Sequence, residues 1–378
     1  MSDVDPRKNT VIVGLSGGVD SAVTALLLQQ QGFRVEGLFM RNWEDDDSDT
    51  HCTAEADLAD AAQVCETLNI PLHQVNFAAR YKQQVFDDCL REFAAGRTPN
   101  PDVLCNREIK FNAFLDHALR LGADLVATGH YARIRRGPDG AELHRGLDAR
   151  KDQSYFLHLV REEALARTLF PLGELEKTVV RRMAEDAGFD NFEKKDSTGI
   201  CFIGERDFAD FLSRYVQAEP GIIATVDGHV VGEHRGLSFY TLGQRQGLGI
   251  GGRPGSSGPW YVVDKDMPGN RLIVAEGHQH PALFAPALQT EPVSWINGPP
   301  AETTFRCSAQ IRYRQPAQAC TVTQDADGCC GVRFDRPQRA ITPGQSVVFY
   351  RDSHCLGGGI IVTPTDTAGQ QREHTTQA

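Results

Sequence analysis

An apolar run, Thr10-Val11-Ile12-Val13-Gly14-Leu15, passes through Ser16-Gly17-Gly18-Val19-Asp20-Ser21 straight into a segment of helical composition that ends at Gly32. A buried-type strand turning into a helix through paired glycines constrains the fold strongly. It predicts a parallel sheet whose loop backbone approaches a ligand closely, with the helix N-terminus offering free N–H groups and the positive end of its dipole. An anion, in particular a phosphate, is the ligand such a turn suits. Ser16 and Ser21 add hydroxyl donors, and Asp20 is placed to hold Mg2+ against pyrophosphate oxygens. No lysine follows the glycines, so the loop is not of the GxxxxGK[ST] type, and it does not fit GxGxxG either.

The pattern after this loop continues the α/β theme. Val35 to Met40 and Leu72 to Phe77 read as strands, with Asp124 to Thr128 another. Ala54 to Leu68, Tyr81 to Ala94 and Arg107 to Leu121 read as helices, and a helical stretch is expected from Glu162 to Ala187. Such alternation predicts a parallel sheet covered on both faces. Beyond about Asp207 the character changes to short strands between Gly- and Pro-rich turns. Gly221 to Val226, Trp260 to Val263 and Leu272 to Val274 fall in a middle portion. Five further strands, Phe305 to Arg312, Ala319 to Thr323, Gly331 to Phe334, Ser346 to Tyr350 and Gly358 to Val362, predict a small β-barrel. The expected division is residues 1–207, 208–283 and 284–364, followed by a polar tail over 365–378 expected to be disordered.

Composition narrows the setting. A chain of 378 residues, 40% hydrophobic and 24% charged, reads as a soluble multidomain protein, and it holds no apolar run long enough for a membrane helix. The N-terminus is polar and does not read as a signal peptide, so the ten cysteines are expected to be thiols in a reducing cytoplasm. A net charge of −11 argues mildly against nucleic acid, but part of that excess is local, in Glu44-Asp45-Asp46-Asp47-Ser48-Asp49. His51-Cys52 beside this run reads as part of a solvated surface loop. Gly247 to Gly252, after Gln244-Arg245, reads as a loop of the middle portion rather than a phosphate cradle.

Two cysteines stand apart from the rest. Asn100-Pro101-Asp102-Val103-Leu104-Cys105-Asn106-Arg107-Glu108-Ile109-Lys110-Phe111 places Cys105 between a proline-containing turn and a helix start. Near a helix N-terminus, with Arg107 and Lys110 close by, a thiol is expected to gain thiolate character. Asp196-Ser197-Thr198-Gly199-Ile200-Cys201-Phe202-Ile203-Gly204 places Cys201 in a turn-rich loop. Cys65 and Cys89 fall on apolar helix faces and read as small buried hydrophobes. Adjacent Cys329-Cys330 do not suit a relaxed disulfide, and without a C-x2-C pair a zinc site is not expected. Asp102, Cys105 and Cys201 together offer an alternative set of iron–sulfur ligands, three in number.

The loop Ser16 to Ser21 resembles the pyrophosphate loop of ATP pyrophosphatases, which cleave ATP between its α and β phosphates. That loop alone does not choose among GMP synthetases, argininosuccinate synthetases, NAD synthetases and tRNA-modifying enzymes. With the two cysteine segments, and with Gly129-His130-Tyr131-Ala132-Arg133, Lys151-Asp152-Gln153-Ser154-Tyr155-Phe156-Leu157 and Tyr240-Thr241-Leu242-Gly243-Gln244-Arg245-Gln246-Gly247-Leu248-Gly249, the chain resembles the bacterial tRNA-specific 2-thiouridylases over nearly its whole length. The resemblance implies ATP-dependent 2-thiolation of the wobble uridine of tRNA. It assigns ATP to Gly14, Leu15, Ser16, Gly17, Gly18, Val19, Asp20, Ser21, Met40 and Gly129. It implies Cys105 as nucleophile, Cys201 as persulfide carrier, a transient Cys105–Cys201 disulfide, and Asp102 acting on a proton.

By the same resemblance Asn100, Pro101 and Asp102 surround the target base, while His130, Lys151, Asp152, Gln153, Arg312, Tyr313 and Gln345 contact the tRNA anticodon arm. A cationic pair around Tyr313 suits RNA. A sulfur-relay protein or a cysteine desulfurase is the implied sulfur donor, and Mg2+ accompanies the ATP. Two rival classes are an ATP-dependent amidating ligase of the GMP synthetase type and a non-enzymatic RNA-binding protein. The first has no glutaminase domain here, and the second leaves the loop and both cysteines without a use.

Overall fold

A computed structural model describes residues 5–44, 53–138, 140–195, 207–251, 258–367 and 370–371. The expected acidic run from Asp45, His51-Cys52 and the whole Cys201 segment lie outside the described residues. Strands β1 (Thr10–Leu15), β2 (Arg34–Arg41) and β3 (Leu72–Asn76) are followed by β4 (Leu125–Ala127), by the hairpin β5 (Ala132–Gly137) and β6 (Gly140–Arg145), and by β7 (Thr168–Leu169). Five of these form an all-parallel sheet in the order β3-β2-β1-β4-β7. Every residue of β1 after Thr10 is buried, as expected of a central parallel strand covered on both faces.

Alternate residues of β1 enter opposite cores. Val11, Val13 and Leu15 join Val23 and Leu28 of helix α1 (Val19–Gln30) and Val64, Cys65 and Leu68 of helix α2 (Thr53–Leu68). Ile12 faces the other way, into a cluster with Val126, Phe114, Phe111, Tyr155 and Cys105. The chain builds outward from β1 to β3 and then returns to place β4 on the other side of β1. The strand order therefore reverses between β1 and β4, and the crevice at the carboxyl ends of those two strands is where a ligand fits such a sheet.

Several helices depart from their expected bounds. The helix expected at Arg107 begins at Pro101, because Asn100 accepts a hydrogen bond from the Val103 N–H and Pro101 suits the first helical position. It continues through a widened stretch at Asn106–Phe114, with Phe111 off helical geometry, into Leu115–Arg120. The single helix expected from Glu162 to Ala187 is broken. Glu162–Ala166 ends before β7, Pro171–Glu174 makes one tight turn, and Lys177–Asp186 is a separate helix. Pro171 interrupts the amide ladder there.

The middle portion is a four-stranded sheet of β8 (Gly221–Thr225), β9 (Val230–His234), β10 (Trp260–Asp266) and β11 (Arg271–Glu276), in the order β10-β11-β8-β9. Then follow β12 (Phe284–Thr290), the short β13 (Ser294–Trp295), β14 (Thr304–Gln310), β15 (Gln318–Gln324), β16 (Cys330–Arg339), β17 (Ser346–Arg351) and β18 (His354–Thr367). The pairings β12-β16-β15-β14-β17-β18 close through β12–β18 into a six-stranded barrel rather than the expected five. Strand β12, at the start of the expected third division and not foreseen as a strand, is the sixth. Strand β18 extends to Thr367, three residues into the segment expected as a tail. The β5–β6 hairpin, also not foreseen, pairs with β18 and joins the first domain to the barrel. Among the described residues no helix is long and apolar enough to cross a membrane.

Candidate active site

The loop after β1 is built from its own hydroxyls and glycines. Ser21 Oγ accepts from the Ser16 N–H at 3.2 Å and donates to the Gly18 carbonyl at 2.9 Å. Gly17 has φ of +72°, and a Cβ there would lie 2.7 Å from the Cα of Asp57 in α2, so both conformation and space call for glycine. Gly18 is the N-cap of α1 and supplies no side-chain acceptor, which leaves the first amides of the helix for a ligand.

Gly129, just past β4, packs against the start of α1 so closely that a Cβ would sit 2.8 Å from the Asp20 carbonyl carbon. A Cβ on Gly14 would stand 3.4 Å from Met40 Cε, which places Met40 of β2 beside the same strand end. Gly14 to Ser21, Met40 and Gly129 thus gather at the carboxyl ends of β1, β2 and β4.

The loop is gripped from behind by residues to which sequence reading gave no such role. Lys177 Nζ donates to both Asp20 oxygens at 2.7 and 2.8 Å, and Tyr131 Oη donates to Asp20 Oδ1 at 2.8 Å. Asn191 Nδ2 and Lys194 Nζ both donate to the Gly17 carbonyl, at 3.0 and 3.3 Å, and Lys194 also pairs with Asp57 and Asp60 of α2. These partners lie more than a hundred positions from the loop, and no local spacing ties them to it.

Cys105 lies one turn into its helix and only 3% exposed, in the cluster that includes Ile109, Phe111 and Phe114. The thiol was expected at the helix mouth between two cations. Instead the helix starts earlier, and Arg107 pairs with its neighbour Glu108 at 2.6 Å. Asp102 lies in the first turn, with more than a third of its surface open. Protein packed around it pushes its carboxyl up, and Lys110 draws it partly back. Cys65 and Cys89 are buried, and burial raises their thiols to about 11 and about 12, which keeps both protonated.

The residues expected to meet tRNA fall into two groups. His130 is buried, hydrogen-bonded through Nδ1 to Thr128 Oγ1 at 2.7 Å and set between Phe111 and Phe170; burial holds it neutral, well below the usual histidine range. The Asp152 carboxylate accepts from Arg145, the Gly146 and Ser154 amides and the Ser154 hydroxyl. Gln153 accepts from the Tyr131 N–H. Of the triplet, Asp152 is buried, and Lys151 and Gln153 are partly exposed.

The second group meets where the three domains join. Arg312 donates to the Leu242 and Ala340 carbonyls and to Thr342, and Gln345 Nε2 donates to the carbonyls of Thr98 and Pro99, just before Asn100. Thr98, Thr241, Gln244, Arg312 and Gln345 line a cleft of about 340 Å³. Tyr313 packs on Phe156, and the Arg314 guanidinium lies 5.3 Å from the centre of its ring. Among the described residues no three His, Cys, Asp or Glu side chains are grouped to hold a metal ion.

Comparison with known proteins matches residues 9–205 to the family described as "tRNA methyl transferase HUP domain". Residues 209–276 match "tRNA methyl transferase PRC-barrel domain", and 286–361 match "Aminomethyltransferase beta-barrel domain". A protein named tRNA-specific 2-thiouridylase MnmA, from Sodalis glossinidius (strain morsitans), is 60% identical over 363 residues, covering 96% of this chain and 98% of that protein. One of the same name from Stutzerimonas stutzeri (strain A1501) is 60% identical over 94% of this chain and 95% of its own length. Of solved structures, the U34-tRNA thiolase NcsA from Methanococcus maripaludis is 20% identical and covers 57% of this chain and 66% of its own, with a TM-score of 0.35, too slight a likeness to carry an argument.

Proposed function

Since the chain belongs to the family of tRNA-specific 2-thiouridylases, we propose that it thiolates C2 of the wobble uridine of tRNA at the expense of ATP. The observation that carries the ATP half is the loop itself: uncapped amides at the start of α1, opposite Gly129, at the point where the strand order reverses. The uridine C2 oxygen attacks the α-phosphorus, pyrophosphate leaves, and the oxygen becomes part of an AMP leaving group. Gly14 to Ser21 bind the phosphates, and Met40 and Gly129 border the nucleotide. Asp20 is the carboxylate of the loop suited to Mg2+, which when bound would neutralise pyrophosphate charge.

Sulfur chemistry follows with electrons balanced. The terminal sulfur of a Cys201 persulfide attacks C2, AMP departs, and C2 is left bonded through that sulfur to Cys201. The Cys105 thiolate attacks the Cys201 sulfur, freeing 2-thiouridine and forming the Cys105–Cys201 disulfide, which a dithiol reductant resets. Asn100, Pro101 and Asp102 frame the base, and Asp102, its carboxyl raised by its surroundings, is the group to exchange a proton. Cys105 lies buried one helical turn from Asn100, so the base must leave its stack to reach it.

Persulfide on Cys201 comes from a sulfur-relay protein or a cysteine desulfurase, and the anticodon arm lies along Lys151, Tyr313 and the cleft of Arg312 and Gln345. An iron–sulfur cluster on Asp102, Cys105 and Cys201 has only two of its three ligands, Asp102 and Cys105, among the described residues. The test is AMP release in the presence and absence of tRNA. Release that needs tRNA supports the reading; release without tRNA points to a ligase, and no AMP at all points to a binding protein.

A further inference from the structure

Far from the nucleotide loop, two thiols of the barrel face each other. Cys307 of β14 and Cys320 of β15 are direct register partners, and their sulfurs lie 3.7 Å apart. Phe305, Cys307 and Ala309 share the inward face of β14, and Cys320 and Val322 that of β15, so both thiols belong to the barrel interior. Cys320 is completely buried, whereas Cys307 is partly exposed and is the member that a reagent in solvent meets first. Directly opposed residues of an antiparallel pair stand about 4.5–5.5 Å apart at Cα, within the roughly 4.4–6.8 Å that a disulfide spans. The sulfurs need only close to about 2 Å, with the strand register unchanged.

The pair also sits close to an RNA-facing element. Beyond it come two register pairs, Ser308 with Ala319 and Ala309 with Gln318, and then the hairpin opens into the turn that carries Arg312 and Tyr313. That turn is under constraint: Arg314 has φ of +66°, and Gln310 Nε2 donates to the Arg312 carbonyl at 3.0 Å. We propose that Cys307 and Cys320 form a redox couple, a site of thiol–disulfide exchange with small-molecule disulfides, and that closing it moves the Arg312–Tyr313 turn and weakens tRNA binding. In the exchange the Cys307 thiolate attacks one sulfur of oxidised glutathione and releases one glutathione thiolate. The Cys320 sulfur gives its proton to that thiolate and attacks the Cys307 sulfur of the mixed disulfide. The second glutathione then leaves and takes up the proton that Cys307 lost. Two protein thiols are thereby oxidised by two electrons, and one glutathione disulfide is reduced to two thiols. The hydrogen bond with Cys307 and burial push the Cys320 thiol up, which leaves Cys307 as the attacking sulfur.

The crosslink is independent of the proposed reaction, its effect on RNA rests on the tRNA reading above, and the experiment separates the two. Full-length protein carrying Cys105→Ser and Cys201→Ser, which lacks the other reactive pair, is equilibrated with oxidised glutathione. Free thiols are titrated, crosslinked peptides are identified by mass spectrometry, and tRNA affinity is measured before and after. The expected result is a loss of two thiols per chain, a Cys307–Cys320 crosslinked peptide and a tRNA dissociation constant raised at least threefold, all reversed by dithiothreitol. Adding Cys307→Ser, or Cys320→Ala where that variant folds poorly, should remove the thiol loss and the affinity change together. Thiols retained in full, glutathione left attached to Cys307, or a bond made to Cys330 instead would overturn the redox couple. A Cys307–Cys320 bond with tRNA affinity unchanged would overturn its tie to the turn. Reduced protein that binds no tRNA would overturn the tRNA reading, while the thiol count and the peptide would still decide the couple.

Discussion

Replacing Gly129 by alanine tests the nucleotide site through one added methyl group. The built Cβ would stand 2.8 Å from the Asp20 carbonyl carbon, 2.9 Å from the Ser21 nitrogen and 3.0 Å from Asp20 Cβ. Ordinary contact begins about 0.5 Å farther out, and two of these three neighbours are backbone atoms of the first turn of α1, which cannot rotate away. The turn must shift, taking the loop amides and Asp20 with it. Overpacking of this kind costs about 1–3 kcal/mol, which for a domain of this size lowers the melting temperature by roughly 5 °C. The larger effect is on catalysis, because misplacing a binding element by a fraction of an ångström to one ångström costs on the order of a hundredfold in rate. Tracking tRNA-dependent AMP formation and thermal melting together is the assay, with Gly137→Ala as control, since its Cβ would meet nothing within 4 Å. A Gly129→Ala protein with wild-type melting and an AMP rate within threefold of wild type would refute the steric argument.

Other expectations follow from the same geometry. Cys105→Ser and Cys201→Ser should each abolish thiolation, whereas Cys65→Ser, at a buried thiol in α2, should retain it; radioactive sulfur from a desulfurase should label Cys201, and label mainly on Cys105 would reverse the two roles. Gln345→Ala removes the hydrogen bonds to the Thr98 and Pro99 carbonyls and should lower thiolation about tenfold while leaving ATP affinity unchanged, so an equal loss of both would contradict its part in placing Asn100. His158 is fully buried with its pKa lowered to about 4, and His130 is shifted the same way. The folded chain refuses protons that the unfolded chain accepts below about pH 6.5, so stability is full above that value and falls as pH drops toward 4. His158 alone accounts for about 2 kcal/mol at pH 5. Urea unfolding at pH 7 and pH 5 should show the difference, and His158→Gln should shrink it; identical stabilities would count against the assignment.

What was legible in the sequence was local. The strand Thr10–Leu15, its glycine turn and α1 follow from neighbours in the chain, and so does the alternation that gives a parallel sheet. Three of the four middle strands, all but β9, and most of the barrel were readable from short β-rich runs between turns. What was hidden depends on distant partners. The β5–β6 hairpin gains its place by pairing His144 and Leu143 with His354 and Cys355, and β12 by closing the barrel against β18. Apolar spacing from Glu162 to Ala187 looked continuous because Pro171 falls between two amphipathic segments that it in fact separates. Within the site, Gly17 and Gly129 could be named but not their reasons, which lie in Asp57 and Asp20. Tyr131 lay within a quoted segment without its partner being readable, Lys177, Asn191 and Lys194 carry no motif of their own, and only the fold brings all four to the loop.

The central claim, that one site couples ATP cleavage to sulfur transfer onto tRNA, is tested most directly by stoichiometry. The protein is loaded with persulfide by a desulfurase and mixed with ATP and tRNA, and AMP, pyrophosphate and wobble 2-thiouridine are counted in a single turnover. The account predicts one AMP and one pyrophosphate for each 2-thiouridine, none of the three without tRNA, and a disulfide linking Cys105 to Cys201 at the end of the turnover. Thiolated tRNA formed without AMP, or AMP formed at full rate with no tRNA present, would contradict it.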